Sequence, residues 1–166
     1  GDAPCPRTEY GRQKALAEAG ILGLSGAAVL RLSKVMAHDL PLLAGGHSFG
    51  GRMTTTAESE QPLDGVKGLI LFSFPLHLPG RPDTKRAEHL ARIKVPMLFF
   101  SGTRDELATL DLLEPTVTKL GKNATLHKID TANHSYRVLK KTRKSDEDVF
   151  AEMARVAREW TAETNL

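Results

Sequence analysis

Hydrophobic and polar positions follow two different periods along this chain, and the switches between them mark its elements. A short helix is predicted from Gln13 to Ala19, ended by Gly20. A longer one follows from Ala27 to His38, because Val29, Leu32, Val35 and Met36 recur at helical spacing. The pattern then changes to short apolar runs. Leu40–Ala44, closed by Gly45-Gly46, and the runs Val66–Phe72 and Val95–Ser101 have the length and content of parallel strands buried on both faces. Ala124–Ile129 alternates instead, which predicts a fourth strand nearer the sheet edge. Between the strands, Phe49–Ser59 reads as a helix opening at Gly50-Gly51, and Ala87–Ile93 and Leu107–Leu120 as two more. Ser73–Arg86 holds three prolines and reads as a loop. Asp146–Thr161 closes the chain as a helix with Val149, Phe150, Met153, Val156 and Trp160 on one face. Ser145 is its predicted N-cap, and Asp146, Glu147 and Asp148 suit the positive end of its dipole.

Strands alternating with helices predict an α/β fold, a parallel sheet flanked by helices. At 166 residues the chain has the size of one domain, with residues 1–39 as a lead-in and residues 40–162 as the core. No run approaches the roughly 18 apolar residues of a membrane span, and the first residues lack the apolar stretch of a signal peptide. The single cysteine, Cys5, fits a reducing cytoplasm. No zinc-site spacing occurs, so no metal or other cofactor is expected. The net charge of +3 sits largely in Lys140-Lys141-Thr142-Arg143-Lys144, where no aromatic residue alternates with the cations. That run reads as a solvated loop and not as a nucleic-acid surface.

The chemistry gathers after the strands. Gly46-His47-Ser48-Phe49-Gly50 matches G-x-S-x-G between an apolar run and a helix, the setting of a nucleophile elbow. Side chains two positions either side of the serine are expected to collide in so tight a turn, so glycine is needed at both. The turn aims the N–H of Phe49 at a developing oxyanion. Glycine-rich turns after strands also bind phosphate, but G-x-G-x-x-G is absent and no lysine follows as in a P-loop. A serine hydroxyl needs a base and an orienting carboxylate, and the chain supplies Asp105 after the third strand and His134 after the fourth. The order Ser, Asp, His is that of the elbow-type hydrolases. Asp83 is the main rival acid. Glu106 is expected to enter the next helix, Asp111 lies close by, and Asp130 is expected to shape the turn before His134. Among the histidines, His47 sits wrongly for the base and is read with His77 as a candidate for lining the substrate pocket. His127 is mid-strand, and His38 and His89 fall on helices.

At these residues the chain resembles the dienelactone-hydrolase-like branch of the α/β-hydrolases, which includes the testis-expressed hydrolase-like proteins and subunit 3 of the NSL chromatin complex. The matching stretches are GGHSFGGRM (45–53), FPLHLPGRP (74–82), SGTRD (101–105) and NHSY (133–136), within a span from Leu40 to Trp160. The resemblance implies Ser48 as nucleophile, Asp105 as acid and His134 as base. It departs at the front, where too few residues precede Leu40 for the family's early strands and no HGGG-like string supplies a second oxyanion donor. The expectation is an α/β-hydrolase fold truncated at its N-terminal side, with a half-formed oxyanion hole that lowers turnover about 100- to 1000-fold. The elbow strand is expected to have an open edge that pairs with another chain, as in a homo-oligomer, or with a missing fragment.

Two functions follow from different classes. The first is a serine hydrolase acting on ester-like bonds of small acyl substrates. The alternative is a weak or inactive relative whose surface serves as a protein-binding scaffold.

Overall fold

Apolar runs such as Leu69-Ile70-Leu71 and Met97-Leu98-Phe99-Phe100 present side chains to both faces of a sheet, so both faces must be covered. A computed structural model of the chain describes residues 42–166 and the backbone of Ala28–Val29. It shows a parallel sheet in the order β1 (Ala28–Val29), β2 (Leu42–His47), β3 (Val66–Phe72), β4 (Met97–Gly102), β5 (Ala124–Ile129). Between the strands lie α1 (Phe49–Glu60), a 3₁₀ helix (Lys85–Arg92) and α2 (Leu110–Lys119). The chain ends in α3 (Val149–Glu163).

Strands added in sequence order through right-handed crossovers carry their connections to one face. There Leu90 and Ile93, with Leu113 and Val117 of α2, pack on Leu69, Leu71, Met97 and Phe99. The opposite face is left for α3, whose Val149, Met153, Ala157 and Trp160 cover Leu43, Ile70, Leu98, Phe100 and Ile129. Because every pair of neighbouring strands is parallel, the C-terminal ends of the strands lie on a single rim. The loops after β2, β4 and β5 therefore meet there.

The strands Val66–Phe72 and Ala124–Ile129 fall on their predicted residues, and β5 takes the sheet edge. Several boundaries differ, each for a local reason. Strand β2 runs through Gly45-Gly46 instead of ending before them. A Cβ on Gly45 would lie 1.9 Å from the Ile70 carbonyl oxygen, so this glycine permits close pairing with β3 and does not break the strand. Ala28 and Val29, predicted in a helix, pair in parallel with Leu42 and Leu43. The free backbone groups at the edge of β2 offer those two residues ladder bonds that outweigh helical spacing. The rest of that predicted helix, the Gln13–Ala19 helix, His38 and the Leu40-Pro41 start of the predicted elbow strand lie outside the described residues. Helix α2 starts at Leu110, with Asp111 in its first turn, and leaves Glu106 exposed before it. The N–H of Leu107 instead goes to Asp105 Oδ1 at 2.9 Å. The N-cap of α3 is Asp148, whose Oδ1 accepts from the N–H groups of Phe150 and Ala151, whereas Ser145 Oγ accepts from Glu147 N in the preceding turn. In the basic run, Lys140, Lys141 and Lys144 are exposed as expected. Arg143 is not: it is packed away and holds Glu152 and the Glu147 carbonyl, tying the loop to α3. Among the described residues no helix is long and apolar enough to cross a membrane.

Candidate active site

Strand β2 and helix α1 are joined by one residue, Ser48, and the tightness of that joint determines what its side chain can do. Ser48 has φ 52° and ψ −119°, a left-handed conformation costly for any residue with a Cβ. Serine before a helix ordinarily turns its hydroxyl onto the first-turn N–H groups. Here no such side-chain cap forms, and the strained backbone directs Oγ away from its own helix. Ser48 N donates to Phe72 O at 2.8 Å, which ties the joint to β3.

The steric demand for glycine falls differently from the motif's symmetry. A Cβ on Gly46 would stand 2.8 Å from Gly50 C, and one on Gly51 2.7 Å from Gly46 O. A Cβ on Gly50 would meet nothing within 4 Å. Gly46 and Gly51 are therefore the positions that let strand and helix cross, and Gly50 is not. Phe49 opens α1 and is 65% exposed. Its N–H lies in the first helical turn, where no intrahelical acceptor exists.

The loop after β4 turns sharply enough for Asp105 N to donate to Gly102 O at 3.1 Å. Asp105 is 2% exposed, and its Oδ1 accepts from Leu107 N. The loop after β5 brings His134 above it. His134 Nδ1 lies 2.9 Å from both Asp105 oxygens and donates to the carboxylate, while its Nε2 lies 2.8 Å from Ser48 Oγ and accepts from it. The structure thus brings Ser48, His134 and Asp105 into one hydrogen-bonded line. The His134 side chain keeps 22% of its surface open to solvent, so the line is reachable from outside.

The other carboxylates have different partners. Asp83 is exposed and accepts from Lys85 N in its own turn, and Asp130 accepts from Lys144 N. His127 pairs with Glu152, and His89 Nε2 donates to Thr55 Oγ1, whose own proton goes to Arg52 O. Burial, with Arg92 and Arg52 nearby, holds the His89 imidazole below its ordinary pKa. His77 is 2% exposed and its Nδ1 donates to Leu78 O, leaving Nε2 buried with no partner among the described residues. His47 Nε2 donates to the carbonyl of His134 at 3.0 Å.

Two residues have parts in the site that the sequence analysis does not assign. Asn133 Oδ1 accepts from Ser135 N and Arg137 N, so it shapes the turn that presents His134. An asparagine beside the histidine was a readable turn signal. Tyr136 carries φ 60°, is 8% exposed, and donates its hydroxyl proton to Phe100 O at 3.0 Å. Burial pushes that phenol well above its ordinary pKa, with Ser73 opposing, so it stays a donor. Its place in the NHSY stretch marks a resemblance, but nothing in the sequence pattern points to burial or to the Phe100 carbonyl.

The two loops also press on each other. A Cβ on Gly102 would stand 2.3 Å from Ala132 O and 2.9 Å from Asn133 O, both backbone atoms of the histidine loop. Gly102→Ala is therefore expected to lower stability by about 1–3 kcal/mol, because backbone cannot give way as a side-chain end can. Urea denaturation of the variant beside the native protein measures it.

Residues 11–162 match a family model described as an alpha/beta hydrolase domain. Among solved structures, the chain is similar to the esterase domain of a Rhodothermus marinus protein, at 17% identity and TM-score 0.54, covering 73% of this chain and 59% of that one. It is likewise similar to Est1E from Butyrivibrio proteoclasticus with ferulic acid bound, at 18% identity and TM-score 0.54, covering 75% and 59%. A predicted CIB-like hydrolase from Thermoplasma acidophilum aligns over 95% of this chain and 62% of its own, at 16% identity and TM-score 0.50. At these identities the likeness is one of fold, and the chain spans 59% of the length of the first two structures.

Proposed function

The chain belongs to the alpha/beta hydrolase family, and we propose that it is a serine hydrolase cleaving ester-like bonds of small acyl substrates. The observation that carries this reading is the unbroken line from Ser48 Oγ to His134 Nε2 and from His134 Nδ1 to Asp105. In the proposed mechanism, Ser48 Oγ attacks the acyl carbonyl carbon and passes its proton to His134 Nε2. Asp105, acting through Nδ1–H, keeps that nitrogen free to receive it and stabilises the imidazolium. The Phe49 N–H faces the oxygen on which negative charge develops, and the positive end of α1 adds to it. The tetrahedral adduct collapses, His134 returns the proton to the departing alkoxide, and the alcohol leaves an acyl-serine. Water then gives a proton to His134 and its oxygen to the acyl carbon, which releases the acid and restores Ser48.

The finer kinship proposed is to the dienelactone-hydrolase-like branch, on the stretch from Gly45 to Met53. A cytoplasmic location fits the single cysteine.

The test is covalent labelling with a fluorophosphonate, which adds to a serine only where a base takes its proton. The expected result is stoichiometric modification of Ser48 in the native protein and none in Ser48→Ala, located by peptide mass. A folded native protein that stays unlabelled after prolonged exposure would sink the proposal.

A further inference from the structure

We infer that His47 is a positioning residue, the strut that holds the His134 loop to the nucleophile's strand. The inference rests on the hydrolase reading of the site and assigns His47 a task different from lining the substrate pocket. Its starting point is a problem of reach. His134 is carried by the loop after β5, whereas Ser48 ends β2, and β3 and β4 lie between them. At about 4.8 Å per strand the loop must lean across roughly 14 Å of sheet.

The loop is well fastened on its own side. Thr131 N donates to Thr103 Oγ1, Arg104 N to Ala132 O, and Tyr136 Oη to Phe100 O, all on β4 or the loop that follows it. On the far side, among the described residues, two bonds tie the loop to the β2 end: Ser48 Oγ to His134 Nε2, and His47 Nε2 to His134 O. The first cannot serve as a fastening, because the reaction breaks it each time the serine loses its proton. The second is untouched by the chemistry. It joins the last residue of β2, held in register with Phe72, directly to the backbone of the base. The rings add a lateral wall. His47 lies 5.2 Å from the His134 ring and edge-on to Tyr136 at 6.0 Å, and Tyr136 is itself pinned by its hydroxyl. A base held this way keeps its Nε2 over Ser48 while Oγ is bonded to the acyl group, when it must deliver a proton to the leaving group and then accept one from water.

The role separates from substrate binding by its kinetic signature. His47→Phe keeps a ring and removes the donor. It is expected to lower kcat for p-nitrophenyl acetate about 10- to 100-fold, since a displacement near 1 Å costs on that order, and to leave KM within about twofold. His47→Gln, whose amide N–H reaches close to the Nε2 position, is expected to recover most of the lost kcat. A KM increase with unchanged kcat in both variants would assign His47 to the substrate and overturn the inference.

A proton NMR measurement keeps the test independent of turnover. The low-field Nδ1 proton that His134 shares with Asp105 is expected to be sharp in the native protein, broadened in His47→Phe and sharp again in His47→Gln. If the native protein shows no Ser48-dependent turnover, the hydrolase reading fails, and this resonance still decides the strut. A sharp signal in His47→Phe overturns the strut, and a broadened one supports it. Should His47→Phe not fold, the native protein carries the decision through the exchange of the His47 Nε2 proton with solvent. Slow exchange supports the bond to the His134 carbonyl, and exchange at the rate of a free imidazole overturns it.

Discussion

Ser48→Ala is expected to lower kcat for p-nitrophenyl acetate by about 10⁴- to 10⁶-fold while the protein stays folded. Removing the nucleophile of a serine–histidine pair leaves only what the oxyanion donors and binding contribute over water, which sets the scale of the loss. The fold has no need of the hydroxyl. Ser48 Oγ makes no cap to α1, and the joint is secured by Ser48 N to Phe72 O and Arg52 N to Ser48 O. Thermal unfolding of Ser48→Ala should therefore match the native protein closely. Ser48→Gly is expected to be equally inactive but more stable. Its backbone adopts φ 52° without the strain of a Cβ, estimated at about 1–3 kcal/mol, less the roughly 0.4–1 kcal/mol that glycine's freedom costs in the unfolded chain. An inactive variant that melts higher than the native protein would mean that strain is stored at the reacting residue. A Ser48→Ala protein that retains turnover would move the nucleophile elsewhere and overturn the proposed mechanism.

The same joint shows which parts of the site the sequence could express. The chemical constellation was legible because each member has a local marker. Ser48 sits inside a glycine-bounded turn, Asp105 follows an apolar run, and His134 follows an alternating one. Which glycines the turn needs was not legible. The motif is symmetric about the serine, but the crossing of β2 and α1 is not, and the collision falls on Gly51 and leaves Gly50 open. Strand β2 was misread for a related reason. Gly45 looks like punctuation in one dimension, and only the carbonyl of Ile70, on a neighbouring strand, shows that its missing side chain allows pairing. The cap of α3 moved from Ser145 to Asp148 because two acceptable capping residues stood three apart and tertiary contacts chose between them. Arg143 binds Glu152 and the Glu147 carbonyl, which fixes the preceding turn and starts the helix later. The bonds of His47 and Tyr136 carried no signal, since their partners, the His134 and Phe100 carbonyls, lie 87 and 36 positions away.

Asp105→Asn is expected to lower kcat by about 10⁴-fold with little change in stability, and the reason lies in how Leu107 orients the side chain. Oδ1 of Asp105 accepts from Leu107 N at 2.9 Å. In the asparagine variant that backbone donor keeps the amide oxygen in the Oδ1 position and places the NH₂ group where Oδ2 now lies, each 2.9 Å from His134 Nδ1. The expected arrangement has the NH₂ donating to Nδ1, and the imidazole then holds its single proton on Nε2. That nitrogen then faces Ser48 Oγ as a donor and cannot take the serine's proton. The loss is one of tautomer, with every side chain still in place, and comparable removals of the carboxylate in serine proteases set its size. Stability should hold because Asp105 is buried and uncharged asparagine is easier to desolvate, which offsets the weaker bond to His134. Steady-state kinetics with p-nitrophenyl acetate give the turnover, and ¹⁵N spectra of His134 give the tautomer, which should switch from Nδ1–H in the native protein to Nε2–H in the variant. Turnover within about tenfold of native with the tautomer switched would mean that His134 is not the base. A lost turnover with the Nδ1–H form retained would place the effect of Asp105 in charge stabilisation of the imidazolium alone.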